Sequence, residues 1–161
     1  MADEYFKFEF DDTFEEMKQY IKSFKERFDK IVKEELYKFG LEVESVAKEL
    51  APVDSGDLEN SITTSKVLFE GNEFYITIGT NNEYALRRHE EPESSVNRPK
   101  YERGVKYDNY YIKGRGEKTR NKPNVKGFKP GRKYLTNAVK ETEEEWNTLC
   151  ERIIARVLEV S

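Results

Sequence analysis

Few residues in this chain could do chemistry. His89-Glu90, directly after Arg87-Arg88, puts an imidazole beside a carboxylate, the pairing that general acid–base catalysis uses. No nucleophile or second organised base lies nearby in the sequence, so the pair reads as a structural hydrogen bond or ring contact. Gly114-Arg115-Gly116-Glu117-Lys118-Thr119 follows Tyr110-Tyr111-Ile112 and invites a phosphate-loop reading. That motif needs lysine directly after glycine, with a helix behind it. Here Glu117 intervenes, and Arg120-Asn121-Lys122-Pro123 is expected to block an immediate helix. Asp54, Asp57 and Glu59 cluster without the spacing of a calcium loop, and capping explains them better. With one cysteine and one histidine, a Cys/His zinc site is close to excluded. No catalysis, metal or cofactor is expected.

The lone Cys150 allows no intrachain disulfide and points to synthesis inside the cell. At 161 residues the chain fits one domain with a real core. Mean hydropathy is −0.90, yet the apolar residues are periodic and aromatics reach 13%, which argues against general disorder. No run approaches the roughly 18 apolar residues of a membrane span, and no N-terminal signal is visible. Charge is unevenly laid out. Residues 1–50 carry fourteen acidic and nine basic side chains, whereas residues 98–133 carry thirteen basic and three acidic ones. Such a split suggests complementary contacts between subunits, or a nearby polyanion.

The elements that must position these residues follow from periodicity. Phe6, Phe8 and Phe10 alternate with Lys7 and Glu9, a short strand with one apolar face that needs a sheet edge. Thr13 and Glu16 form a capping box for a long helix. Its stripe runs Phe14, Met17, Ile21, Phe24, Phe28 and Ile31, slips by one residue, and resumes at Val32, Leu36, Phe39, Val43, Val46 and Leu50. Gly40 is a candidate kink. Pro52 should stop this helix by forcing Ala51 extended. Asp54 and Ser55 then cap a short turn opening at Gly56 and Asp57, with Leu58 and Ile62 against the core. Residues 62–69 and 74–79 read as a hairpin turning at Glu70-Gly71-Asn72-Glu73. Tyr84-Ala85-Leu86 starts a strand or a short helix. From Glu91 to about Lys133 the chain reads as a long loop, and a final helix from about Arg132 to Leu158 carries Leu135, Val139, Thr142, Trp146, Leu149, Ile153, Val157 and Val160.

The two helices are unequal. An unbroken helix over residues 14–50 extends about 55 Å, whereas a final helix of about 25 residues covers about 38 Å. The overhang carries Phe14, Met17, Ile21 and Phe24. Leaving each exposed forgoes roughly 1.5–3 kcal/mol of burial, while ordering a residue costs about 1–2 kcal/mol of backbone entropy. The expectation is that another subunit covers part of this ridge, with the aromatic arm and Tyr110 and Tyr111 as further interface candidates. Within the basic segment, Arg103, Lys106, Lys113, Arg115, Lys118, Arg120 and Lys122 face either DNA phosphates or a neighbouring subunit. Subunit contact is the favoured of the two, and both can hold at once.

Three pieces in order carry a resemblance. The first is the corner Ala51, Pro52, Ser55, Gly56, Leu58, Ser61 and Ile62. The second is Gly79, Thr80, Tyr84 and Ala85 followed by His89 and Glu90. The third is the helix start Lys133, Tyr134, Leu135 and Ala138. Together they resemble the neck, or tail-completion, proteins of tailed bacteriophages, a family similar to the gp10-like tail component of phage HK97, over about residues 14–161. The basic segment 98–130 is longer than in short members.

The resemblance implies an α+β fold, with long N-terminal and C-terminal helices packed on a small antiparallel sheet. It implies one domain over 1–161, with 1–12 as an arm and 91–131 as an extended basic loop. The implied protein is a structural virion component without catalysis, made in the bacterial host cytoplasm and placed at the head–tail joint. Its partners would be its own copies in a ring, taken as hexameric, the head-closure protein and the tail terminator, around the channel where genomic DNA passes. A nucleic-acid-binding module built on residues 98–133 is the alternative.

Overall fold

A computed structural model describes residues 12–53, 55–90 and 117–158. The aromatic arm (Phe6, Phe8, Phe10), Asp54, Val160 and the stretch containing Arg103, Lys106, Tyr110, Tyr111, Lys113 and Arg115 lie outside the described residues.

The expected long helix, α1, runs unbroken through Asp12–Leu50. At its one-residue slip both Ile31 and Val32 are buried, so the stripe widens there. Gly40 does not break the helix. A Cβ on it would sit 2.6 Å from Ile76 Cδ1 and 2.8 Å from Thr64 Cγ2, and the Thr64 hydroxyl donates to the Gly40 carbonyl at 2.9 Å. Glycine here lets the sheet approach the helix backbone closely.

After the Pro52 corner comes the single turn α2, Asp57–Ser61. Gly56 precedes it in the left-handed region at φ 98°. Ser55 Oγ sits 3.4 Å from the Asp57 N–H and donates to the Asp57 carboxylate at 2.6 Å. Ile62 is fully buried and Leu58 packs beside it, as the spacing predicts.

The expected hairpin forms, in two ladders. Strands β1 (Thr63–Thr64) and β4 (Ile78–Gly79) pair antiparallel, with Thr63 opposite Gly79; β2 (Leu68–Glu70) and β3 (Glu73–Tyr75) pair with Leu68 opposite Tyr75. Between the ladders, residues 65–67 face only residues 76–77. This extra residue is a bulge, and the Ser65 hydroxyl accepts the Thr77 N–H at 3.0 Å while the Ser65 N–H donates to the Thr77 carbonyl. Gly71 and Asn72 both have positive φ (59° and 81°), the twist that a two-residue hairpin turn requires.

Tyr84-Ala85-Leu86 resolves as the start of a helix, α3, Ala85–Glu90. The stretch from Glu117 onward corrects the long-loop expectation. It opens with the one-turn helix α4, Glu117–Arg120, which stops at the expected Arg120-Asn121-Lys122-Pro123 block, and then a tight turn pairs Val125 with Phe128. It is tied to the corner: the Val53 N–H donates to Thr119 Oγ1 at 2.9 Å, and the Gly131 N–H to the Leu50 carbonyl at 2.7 Å.

The expected final helix is two helices, α5 (Tyr134–Glu141) and α6 (Glu143–Leu158). Thr142, fully buried between them, donates its hydroxyl to the Ala138 carbonyl at 3.0 Å, a back-bond that bends helices. Its φ of −96° and ψ of 13° mark the join. The phase also differs from expectation: Tyr134 and Ala138 are buried, while Val139 is 62% exposed. Tyr134 follows Lys133, which is left-handed at φ 58°, and so the helix enters one residue out of step with the predicted stripe.

The core joins Val43, Ala47, Leu50 and Ala51 of the α1 end to Ile62, Tyr134 and Ala138, with Val46, Leu58, Ile78 and Leu135 packed around them. The fold is α+β: long N-terminal and C-terminal helices against a small antiparallel strand region, as expected.

Candidate assembly surface

The motif residues meet at one place. α1 ends under the corner, the hairpin returns beside it, and α5 begins against both. Ser61 Oγ lies 2.6 Å from Thr80 Oγ1, which accepts the Asn82 N–H at 3.0 Å; the Asn82 carboxamide in turn accepts the Tyr84 N–H. Gly79 pairs with Thr63, and Ala85 is buried, although Tyr84 is exposed.

His89 stands edge-on to the ring of Tyr134, with centroids 5.2 Å apart. Its Nδ1 lies 2.8 Å from Glu90 Oε1 and its Nε2 3.4 Å from Thr136 Oγ1. The His89 carbonyl accepts the Lys133 N–H at 3.0 Å, and Lys133 Nζ pairs with Glu90. Lys133, and then His89, hold the Glu90 carboxyl below its ordinary range. The carboxylate therefore stays charged and paired, a poor position from which to take a proton. These contacts staple α3 to the start of α5. Among the described residues no group of three or more His, Cys, Asp or Glu side chains could hold a metal ion.

The described basic residues divide by use. Lys122 does not face outward as expected. Its Nζ donates to the carbonyls of Lys48 and Ala51, both at 3.0 Å, and to Glu59 at 3.2 Å. A cation there satisfies the open carbonyls at the C-terminus of a very long helix and its negative dipole end. Lys126 bridges Glu141 at 2.6 Å and Glu145 at 3.0 Å. Lys118 and Arg120 are exposed on α4.

Sequence reasoning missed one cluster. Glu35, 2% exposed, is held by Arg152 at 2.7 Å, Arg156 at 2.6 Å and Lys38 at 2.7 Å, while Arg156 also reaches Glu34. Burial pushes the Glu35 carboxyl up, but the hydrogen bonds from Lys38 and Arg156 and the surrounding positive charge outweigh it, so it lies below its ordinary range. The available signal was a carboxylate on the apolar stripe, between Val32 and Leu36. This clamp fixes α6 along the middle of α1.

The clamp also sets where cover ends. Near the described end of α6, Arg27 of α1 donates to the Val157 carbonyl at 3.3 Å. N-terminal to it, Met17 is 50% exposed, Ile21 58% and Phe24 37%, while Phe14 is half-buried under Lys18, whose ammonium lies 4.6 Å from the ring centre. No described element covers this ridge. The β2–β3 hairpin is a second apolar projection: Leu68, Phe69 and Tyr75 are exposed, and Phe69 stacks on Phe74 at 4.7 Å. No described helix is long and apolar enough to cross a membrane.

No curated protein and no solved structure matches the chain. A protein-family model described as "Bacteriophage HK97-gp10, putative tail-component" matches residues 15–86, a little under half of the chain. That span holds the exposed ridge, the corner, the hairpin and the first residues of α3; His89-Glu90 and the α5 start lie beyond it. From the ridge to the opening of α3, the chain is therefore similar to the HK97-gp10-like tail-component family of bacteriophages.

Proposed function

We propose that this chain is a structural virion protein that forms a ring at the phage head–tail joint, linking the head-closure protein to the tail terminator around the DNA channel. The observation that carries the reading is the ridge. A helix of 39 residues presents large apolar side chains over its first half, where its own chain offers no described cover. Exposed contiguous apolar surface of this kind marks a protein contact. The similarity to a phage tail-component family supports a virion setting. The function is geometric: the corner and the Glu35 clamp hold the parts rigid, and the ridge and hairpin offer contacts to neighbours.

The nucleic-acid reading draws less support. Of the basic residues in 117–133, Lys122, Lys126 and Lys133 already serve carboxylates or a helix end of their own chain. Negative-stain imaging and sedimentation of the purified protein, alone and with its tail partner, test the ring. Closed rings with a DNA-wide lumen are expected; a monomer under every condition overturns it.

A further inference from the structure

We propose that the β2–β3 hairpin of one copy docks on the α1 ridge of the next copy; this rests on the ring reading above and names the surfaces that build the ring. Both surfaces present several large exposed apolar side chains among the described residues, and they differ in charge.

Along α1 the ridge residues Phe14, Met17, Ile21, Phe24 and Phe28 step by three and four, the seam of a helix that expects a partner. The positions beside that seam are Lys18 and Lys25 on one flank and Tyr20 and Arg27 on the other. None is acidic. Pairing two α1 ridges antiparallel would set Lys18 against Lys25 of the other copy twice, so an isologous α1–α1 contact is disfavoured.

The hairpin offers the complement. Leu68 and Tyr75 supply apolar surface on the same face of the ribbon as Glu70 and Glu73, which face each other across its end. A two-stranded ribbon is marginal in water without another layer. Lys18 now pairs with Glu15 at 2.6 Å with both side chains more than half exposed, a weak bond that it can exchange.

Within one chain the two surfaces cannot meet. Thr64 and Ile76 root the hairpin against Gly40. At 3.6 residues per turn, Gly40 lies about 100–160° round the helix from Met17, Ile21 and Phe24. Unlike patches on one chain make a head-to-tail contact, which closes into rings or runs on as filaments, whereas a self-complementary patch stops at a dimer.

Disulfide trapping in a Cys150→Ser background tests this. Protein carrying Ile21→Cys or Phe24→Cys is mixed with protein carrying Leu68→Cys and oxidised. The expected product is the mixed dimer, with little from either protein alone. Lys18→Glu with Lys25→Glu should weaken self-association about tenfold or more, and adding Glu70→Lys with Glu73→Lys to the same chain should restore it. Circular dichroism and melting of each variant separate loss of contact from loss of fold. Rings that form without any link to residue 68, or Ile21→Cys protein that links chiefly to itself, overturn the pairing and leave the ring standing. A protein that stays monomeric when concentrated overturns both.

Discussion

Replacing Glu35 with Gln tests how α6 is held on α1. The carboxylate is almost wholly buried, and three cations converge on it within 2.7 Å. Removing one partner of a buried ion pair costs roughly 3–5 kcal/mol. Here the side chains of Arg152 and Arg156 are 48% and 36% exposed, so water can take up part of their lost partner. About 2–3 kcal/mol is the expected loss near pH 7, or about 4–12 °C in Tm for a domain of this size.

The pH dependence carries a sign. The folded Glu35 carboxyl lies below its ordinary range, so the unfolded chain binds the proton more readily. Its contribution is complete above about pH 4.5 and is lost as pH falls through the folded value. Urea denaturation of the wild type and Glu35→Gln, followed by circular dichroism from pH 7 down to pH 3, should show a stability gap that narrows with acid. A neutral substitution at pH 7, or a gap that stays constant across the titration, would refute the clamp.

Gly40→Ala should destabilise by about 0–2 kcal/mol: crowding costs roughly 1–3 kcal/mol, against about 1 kcal/mol of helix propensity gained. Thermal melts check it, and Ile76→Val should relieve part of the cost; a clear gain in stability would mean that the hairpin does not lie on α1. Lys122→Met should cost about 1–2 kcal/mol by removing the α1 end cap, read as a lower denaturation midpoint with the self-association constant unchanged. Tyr134→Phe should be neutral or stabilising by up to about 1 kcal/mol, because the buried hydroxyl has no hydrogen-bond partner among the described residues; a marked loss in the same melts would contradict that arrangement.

Period and punctuation made the elements readable. The three-and-four spacing of α1, the stop at Pro52, the Gly56 turn and the Gly71-Asn72 reversal are local, and local rules do not need the rest of the chain. The ridge was legible for the same reason, since its apolar steps outrun what one short C-terminal segment can cover. What the elements do to one another was not legible. Gly40 looked like a weak point in a helix, and only the approach of Thr64 and Ile76 makes it a docking point. Lys122 belonged, by composition, to an outward basic loop; its ammonium turns inward because an uncapped helix end lies beside it. The α5 phase shifted because Lys133 takes a left-handed turn under contacts from His89 and Glu90. The Glu35 clamp needed two helices set side by side, since a carboxylate on an apolar stripe is an error until arginines 117 and 121 positions later arrive. Sequence determines which faces are greasy and where the chain must bend. Tertiary structure decides which charges are spent inside the molecule and which remain for a neighbour.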